Sequence, residues 1–458
     1  MKIWFLLCLF SWQVWAGEEA TFGSQGGWLQ YATPEEAGFS SKTLDEAYAM
    51  AQAGNTAAFM LVYRGKVLAA WGRVADRYKL HSVRKSLYSA LYGIYVREGK
   101  IDLNKTVAEL GIDDIHGLTE AERRATVRDL ISARSGIYHP AAKEPPDMKR
   151  SRPERGKHGP GEHFYYNNWD FNTSAMILEQ ETGVELFEMF TKRLAEPLGF
   201  QDYRPIDGFH EYDRAASKYP AHAFRMSTRD MARFGQLYLQ KGVWKGRRML
   251  DEDWIKASTA PVSPSNWHAY GYMWWVMEEG SVAQYPELDA YMASGTGGQK
   301  ILVCEDTQMV MVHRGDTDRQ RHVRTREIMA LFFKILEGKT GEPKAEPKLV
   351  PMSPRPLDGV LPALADRQFI QLPPGELAKY KGGFAMPDGV VIRMRAMDDR
   401  LVGSHPFLGE MDFFPVSKNH FASANTNIEV WVQLNEKGLP DQAEISLFGQ
   451  KVTCKRVE

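Results

Sequence analysis

Apolar positions switch between two periods along the chain. Over residues 41–53 they recur at Leu44, Ala47 and Met50, one face of a helix that opens on a serine. Residues 57–63 and 66–71 are apolar runs on either side of Arg64-Gly65, the pattern of a β-hairpin. Helical spacing follows over 84–98 with a Gly99 stop, over 127–133 after a Thr126 cap, and over 172–181 and 184–194 around Gly183. It returns over 228–240 after Ser227. Residues 299–303 and 308–313 alternate like two strands, and 325–336 form a last amphipathic helix. Strands, then helices, then strands again predict an α+β fold. An antiparallel sheet is flanked by helices, and the middle of the chain forms a helical subdomain.

The pattern changes after Gly338. Pro343, Pro347, Pro351, Pro354 and Pro356 crowd the stretch 339–372, which reads as a stiff, extended linker. From 373 to 458 short strands are expected at 390–395, 413–416, 420–424, 428–434, 444–448 and 452–457. Turn signals such as Pro387-Asp388-Gly389 and Glu436-Lys437-Gly438 separate them. This predicts a small all-β antiparallel domain, a barrel or a sandwich. At the other end, Met1-Lys2, the short apolar run 3–15 and Val14-Trp15-Ala16 read as a signal peptide over 1–16. Export to the periplasm or the medium is therefore expected, with the body at 17–338. No later stretch is long and apolar enough for a membrane span, so no stable membrane insertion is expected after cleavage.

Composition narrows the classes of partner. The 458 residues are 43% hydrophobic and 25% charged, ordinary for a protein with a sizeable core. Lys and Arg number 57 against 58 Asp and Glu, a net charge of −1. Nucleic acid and anionic lipid surfaces demand an excess of cations that is absent here. Cleavage would remove Cys8. Cys304 and Cys454 then read as buried free thiols, although export leaves a disulfide open. No metal-ligand spacing, phosphate loop or dinucleotide fingerprint follows a strand, so no metal and no cofactor is expected.

Three stretches carry candidate chemistry. Ser82-Val83-Arg84-Lys85 stands at the start of a helical run, where Ser82 and Lys85 lie one turn apart and face one cleft. A serine hydroxyl needs a base, and a lysine serves when desolvation or nearby positive charge lowers its pKa. Tyr166-Asn167-Asn168 offers a phenol that shares a proton with such a lysine, and an amide that holds it. Ser294-Gly295-Thr296-Gly297-Gly298-Gln299 precedes a strand, and glycines there let a substrate approach the backbone. A backbone N–H in that stretch, most simply that of Gln299, would complete an oxyanion hole with that of Ser82. The segment 139–163, rich in Lys, Arg, Glu and Pro, is expected as a solvated loop over the cleft. Tyr138, Trp169, Tyr272, Trp274 and Trp275 are candidates for an apolar acyl pocket or for core packing.

In this order the three stretches resemble the serine β-lactamase and penicillin-binding-protein superfamily, in its class C β-lactamase-like esterase and peptidase branch. Residues 98–103, 126–136 (TVRDLISARSG), 160–168, 224–239 (FRMSTRDMARFGQLYL) and 270–275 (YGYMWW) also look like that branch. The resemblance spans about 34–336 and implies a β-lactamase/transpeptidase-like fold. Ser82 would be the acylated nucleophile, Lys85 its base partner and Tyr166 the second acid/base. Asn168, Thr296, Gly297, Gly298 and Gln299 would bind substrate. The tail resembles the small lipocalin-like domain that some exported members append. One departure stands out: Thr296 occupies the place where the family usually has Lys or His, a cation that commonly holds a substrate carboxylate. The resemblance therefore implies an exported serine hydrolase of small-molecule or peptide-like esters or amides. β-Lactam hydrolysis and D-aminoacyl peptide cleavage are the alternatives within the enzymes. A non-catalytic binding or sensor protein is the alternative from another class.

Overall fold

The apolar hairpin lies at the centre of the molecule. In the computed structural model, residues 26–263, 268–277, 288–406, 409–424, 426–447 and 450–457 are described. The hairpin strands are Thr56–Tyr63 and Lys66–Gly72. Arg64 and Gly65 both take positive φ, as a tight two-residue turn requires. Every residue of Thr56–Tyr63 is buried. Alternation then divides the strand between two apolar layers. Ala58, Met60 and Val62 pack on one side, and Phe59, Leu61 and Tyr63 on the other.

Among the described residues the sheet has nine strands, in the order Leu349–Pro351, Leu29–Tyr31, Lys66–Gly72, Thr56–Tyr63, Met309–Gly315, Gln299–Cys304, Ala290–Gly295, Trp275–Met277 and Ala269–Tyr270. Neighbours are antiparallel except Leu29–Tyr31 beside Lys66–Gly72. The first and last segments of the body thus share one sheet, as the hydrophobic pattern predicts. Leu44 and Ala47 of helix Ser41–Ala53 pack with Ile328 and Leu331 of helix Thr325–Glu337 on the layer of Phe59. Phe234 and Leu237 of helix Thr228–Leu239 join the opposite layer.

The helical subdomain stands on that second layer. Residues 84–95 of helix Arg84–Arg97 are all buried, so it is a central helix with no solvent face. Helix Asn168–Thr182 starts four residues before the apolar periodicity does. Asn167 sets this start by accepting a hydrogen bond from the Asp170 N–H. The helix expected over 184–194 divides into Leu186–Phe190 and a π-helical turn, Thr191–Ala195.

The proline-rich stretch 339–372 is extended, but it is laid onto the body. Leu349–Pro351 forms the outermost strand against Leu29–Tyr31, and the Arg355 N–H donates to the Ala70 carbonyl at 2.9 Å. Prolines fit there because an edge strand leaves half of its N–H groups without a partner. The tail is a closed barrel of eight antiparallel strands, from Gly382–Ala385 to Gln450–Arg456, sealed by the Phe384–Arg456 pairing. Two of its strands, Gly382–Ala385 and Leu401–His405, are absent from the sequence expectation. Cys304 in the sheet and Cys454 in the barrel are both free and buried. The expected signal peptide at 1–16 lies outside the described residues, as do Phe448 and Gly449 in the tail.

Helix Arg84–Arg97 carries a testable constraint. A Cβ on Gly93 would stand 2.4 Å from Trp254 Cδ1, a ring that is itself buried. Ala for Gly in a helix interior normally gains about 1 kcal/mol. Overpacking against a rigid ring costs ~1–3 kcal/mol and prevails here. Gly93→Ala should therefore lower the urea midpoint with an unchanged slope, against the helix-propensity trend.

Candidate active site

Ser82 sits in a short 3-10 turn, His81–Val83, between strand Tyr78–Lys79 and helix Arg84–Arg97. His81 holds a positive φ of 49° just before it, a strained conformation for a residue with a Cβ. The His81 ring is fixed by a 2.8 Å hydrogen bond between Nε2 and Thr317 Oγ1. One turn on, Lys85 Nζ lies 3.1 Å from Ser82 Oγ, 2.5 Å from the Tyr166 hydroxyl and 2.9 Å from Asn168 Oδ1. The three residues expected to share one pocket are thus brought together, with Asn168 as the fourth member. Asn168 is held in turn by donating from Nδ2 to the Lys143 carbonyl at 2.6 Å.

Burial sets the protonation of this cluster. Lys85 is almost fully buried, between the rings of Tyr166 and Phe171, whose centroids lie 4.1 and 4.4 Å from Nζ. Loss of hydration is the main force that drives its pKa well below the usual lysine value, and the Arg84 charge adds to it. Among the described residues no carboxylate pairs with Lys85. The same desolvation pushes Tyr166 up to about 12. Burial thus favours a neutral amine at Lys85 and a protonated phenol at Tyr166. The amine can accept the serine proton, and the phenol can donate one to a leaving group.

Two cavities open at Ser82. The larger, about 740 Å³, is lined by Ser82, Tyr166, Asn168 and Thr296, with Glu211 and Phe224 on its wall. The charged segment 139–163 closes over it, and Lys143, Glu144 and Met148 reach the lining. The smaller, about 370 Å³, is lined by Ser82, Tyr166, Trp275, Lys300, Arg324 and the turn 294–298. Of the five candidate pocket aromatics, Trp275 alone lines either cavity. Trp169 and Trp274 are core residues, Tyr138 packs on Tyr165, and Tyr272 accepts from Arg128.

The glycine stretch fits its place for steric reasons. A Cβ on Gly295 would come within 2.4 Å of the Leu80 carbonyl and 3.2 Å of the Ser82 nitrogen, so this strand end lies directly against the nucleophile turn. Gly297 has φ 77°, and a Cβ there would collide with Thr317 Cγ2 at 2.1 Å. A Cβ on Gly298 would come within 3.0 Å of Val323. Gln299 is placed differently from the expectation. It is fully buried opposite Gly295 in the ladder and lines neither cavity. Its Nε2 donates to the Gly315 carbonyl at 2.8 Å, and its Oε1 accepts from Arg314 Nε at 2.6 Å. The turn residue that faces both cavities is Thr296, because the turn ends before Gln299 and returns that residue to the sheet.

Lys300 is the site residue that the sequence reading misses. It is only 6% exposed, hydrogen-bonds Ser294 Oγ and lines the smaller cavity beside Ser82. Among the described residues no carboxylate pairs with it, and desolvation pushes its pKa down to about 8. The available signal is a single lysine inside the otherwise apolar run 300–304.

With the geometry in view, the chain belongs to the β-lactamase family, whose family model matches residues 44–330. That family is one of serine hydrolases with the β-lactamase/transpeptidase fold. Within it, the chain is 25% identical over 229 residues to the 6-aminohexanoate-dimer hydrolase of Paenarthrobacter ureafaciens. That match covers 45% of this chain and 57% of the relative, so the chain spans little more than half the relative's length. A Bacteroides dorei protein assigned to the β-lactamases superposes with a TM-score of 0.50 at 16% identity, over 65% of this chain and 99% of the other. The octameric penicillin-binding-protein homologue of Pyrococcus abyssi gives 0.49 at 15% identity, over 90% and 99%. Among the described residues no helix is long and apolar enough to cross a membrane.

The protonation states predict a pH profile. With an uncharged ester, kcat/KM should fall as pH drops through the lowered Lys85 pKa, because the amine then holds the proton it must accept. It should fall again towards about 12, where Tyr166 ionises. Lys85→Met should lose at least about 10³-fold and remove the acid limb from the residual rate. Rate measurements from acid to strongly basic pH check both limbs.

Proposed function

We propose that the protein is an exported serine hydrolase that cleaves a small ester or amide through a Ser82 acyl-enzyme. The observation that carries this reading is the single Lys85 nitrogen in hydrogen-bond contact with Ser82, Tyr166 and Asn168. In the first half-reaction Ser82 Oγ attacks the carbonyl as its proton passes to the Lys85 amine. The proton moves through Tyr166 to the leaving oxygen or nitrogen. Water then repeats the sequence in reverse and releases the acid. The Ser82 N–H and the Thr296 N–H, from the turn facing both cavities, are the donors we assign to the developing oxyanion.

Lys300 refines the substrate class. Thr296 leaves the usual cation out of the third motif, but Lys300 brings an ammonium into the cavity beside the nucleophile from the neighbouring strand. An amide or ester that carries its own carboxylate fits this pocket better than a neutral ester does. The named substrate of the relative from Paenarthrobacter ureafaciens, a 6-aminohexanoate dimer, has such a group. The same cation keeps β-lactam and D-aminoacyl substrates as the second reading, because both present a carboxylate near the scissile bond.

Labelling with a fluorophosphonate followed by intact-mass measurement tests the core of the proposal. One adduct is expected on the wild type and none on Ser82→Ala. An unlabelled wild type, or equal labelling of both, would instead favour a binding protein on a catalytic scaffold. Substrate charge is read separately. Lys300→Met should raise KM about 10-fold or more for a carboxylate-bearing amide, the worth of one charge-assisted hydrogen bond, and leave a neutral nitrophenyl ester unchanged. Equal effects on both substrates would remove Lys300 from recognition.

A further inference from the structure

Behind the wall of the Ser82 cleft, three donor groups converge that the hydrolytic mechanism does not use. Glu179 lies in the last turn of helix Asn168–Thr182. His210 and His222 are opposite each other in the ladder between strands Gly208–Glu211 and Ala221–Met226. One ligand atom from each of the three lies within 4.8 Å of the other two. Glu179 Oε1 is 3.3 Å from His222 Nε2. His222 is fully buried; its Nε2 faces Glu179, and its Nδ1 has no hydrogen-bond partner. An orphaned buried polar group of this kind costs about 1–3 kcal/mol unless something satisfies it.

The surroundings also fit a metal ion. Phe187 closes the apolar side, with its centroid 5.1 Å from the His210 ring and 5.6 Å from the His222 ring. His210 opens on a cavity of about 990 Å³, which gives an entry path. Two imidazoles and one carboxylate form the donor set of a borderline divalent ion. Donors on a tetrahedral zinc stand roughly 3.3 Å apart, given metal–ligand lengths of about 2.0–2.1 Å. Glu179 and His222 already have that separation, and the partly exposed His210 ring can close the remainder. On the carboxylate side a second contact orients the ligand: the Leu186 N–H donates to Glu179 Oε1 at 2.8 Å.

We propose that Glu179, His210 and His222 form a binding site for a divalent transition-metal ion of the zinc type, with a fourth position open to water from the cavity. The ion would tie the helix that begins at Asn168 to the strands that place Glu211, Ala223 and Phe224 on the wall of the Ser82 cleft. It is a structural site, apart from the nucleophile, and does not depend on the reaction proposed above.

The full-length chain, stripped with a chelator and dialysed against zinc, tests the proposal by metal analysis and by competition with a chromophoric chelator. The wild type should retain one equivalent. Glu179→Gln and His210→Ala, both at partly exposed positions, should each weaken zinc binding at least about tenfold with unchanged far-UV circular dichroism. His158→Ala, in the stacked His158–His163 pair elsewhere on the chain, should bind as the wild type does. The proposal is overturned if the wild type retains no zinc, if either site variant keeps the wild-type affinity, or if His158→Ala weakens binding equally.

Discussion

Placing an amine where water cannot reach it is the constraint around which the catalytic body is organised. An ammonium ion taken out of water loses several kcal/mol of hydration, more than the hydrogen bonds at Lys85 return. Its pKa falls in response, and among the described residues no carboxylate pairs with it to raise the pKa again. Sequence and packing serve that one outcome. Helix Arg84–Arg97 is buried all round, the rings of Tyr166 and Phe171 close over Nζ, and Asn168 offers an oxygen that a neutral amine can still bond. Arg84, which donates to Asn172, adds positive charge from the same turn. A carboxylate placed here would strengthen the fold locally and remove the base.

The two halves of the site are held in register by buried arginines. Arg314 leaves the central sheet and donates to the Met226 carbonyl, to the carbonyls of Tyr78 and Lys79, and to Gln299 Oε1. One guanidinium therefore fixes the strand that leads into Ser82 and the residue that ends the Thr296 turn. Its planar fork is suited to this, because several donors reach different backbones without any side-chain flexing. Arg225 makes a two-point pair with Asp318 beside it, and Arg77 bridges Asp207 to Asp366 of the 339–372 stretch. The Gln299 side chain is spent in this network, accepting from Arg314 and donating to the Gly315 carbonyl, so it acts as a positioning residue at the end of the Thr296 turn.

The long helices, the central hairpin and the Ser82–Lys85–Tyr166 set are legible in the sequence because each leaves a local signature. Period, cap and motif all act over a few residues. What escapes is set by long-range closure. Lys300 and Arg314 read as charges on strands and would ordinarily be assigned to solvent, but both are buried, Lys300 against Ser294 of the preceding strand and Arg314 against carbonyls of distant segments. The turn at 296–298 shows the same limit. Counting residues from Thr296 cannot show the close approaches that a Cβ would meet at Gly295, Gly297 and Gly298, where the turn lies against Leu80, Thr317 and Val323. The edge strand Leu349–Pro351 is hidden by its prolines, which suggest a linker until a partner strand is present.

The extended stretch and the barrel then become part of the site's architecture. Asp366 is bonded to Arg77, four residues before the start of the turn that carries Ser82, so the segment entering the barrel is anchored to the catalytic body. The barrel returns over the cleft. A cavity of about 890 Å³ is walled by Lys79, His81 and Glu211 of the body and by Glu410, Asp412 and Ile428 of the barrel. Gly409 packs so tightly on Tyr212 that a Cβ there would approach its ring to 2.4 Å. His81 links this cavity to the one that holds Ser82, since it lines both. Across this cavity the acidic barrel side chains Glu410 and Asp412 face Lys79 and His81 of the body. The barrel thus forms one wall of the space beside the nucleophile cleft, without reaching Ser82 itself.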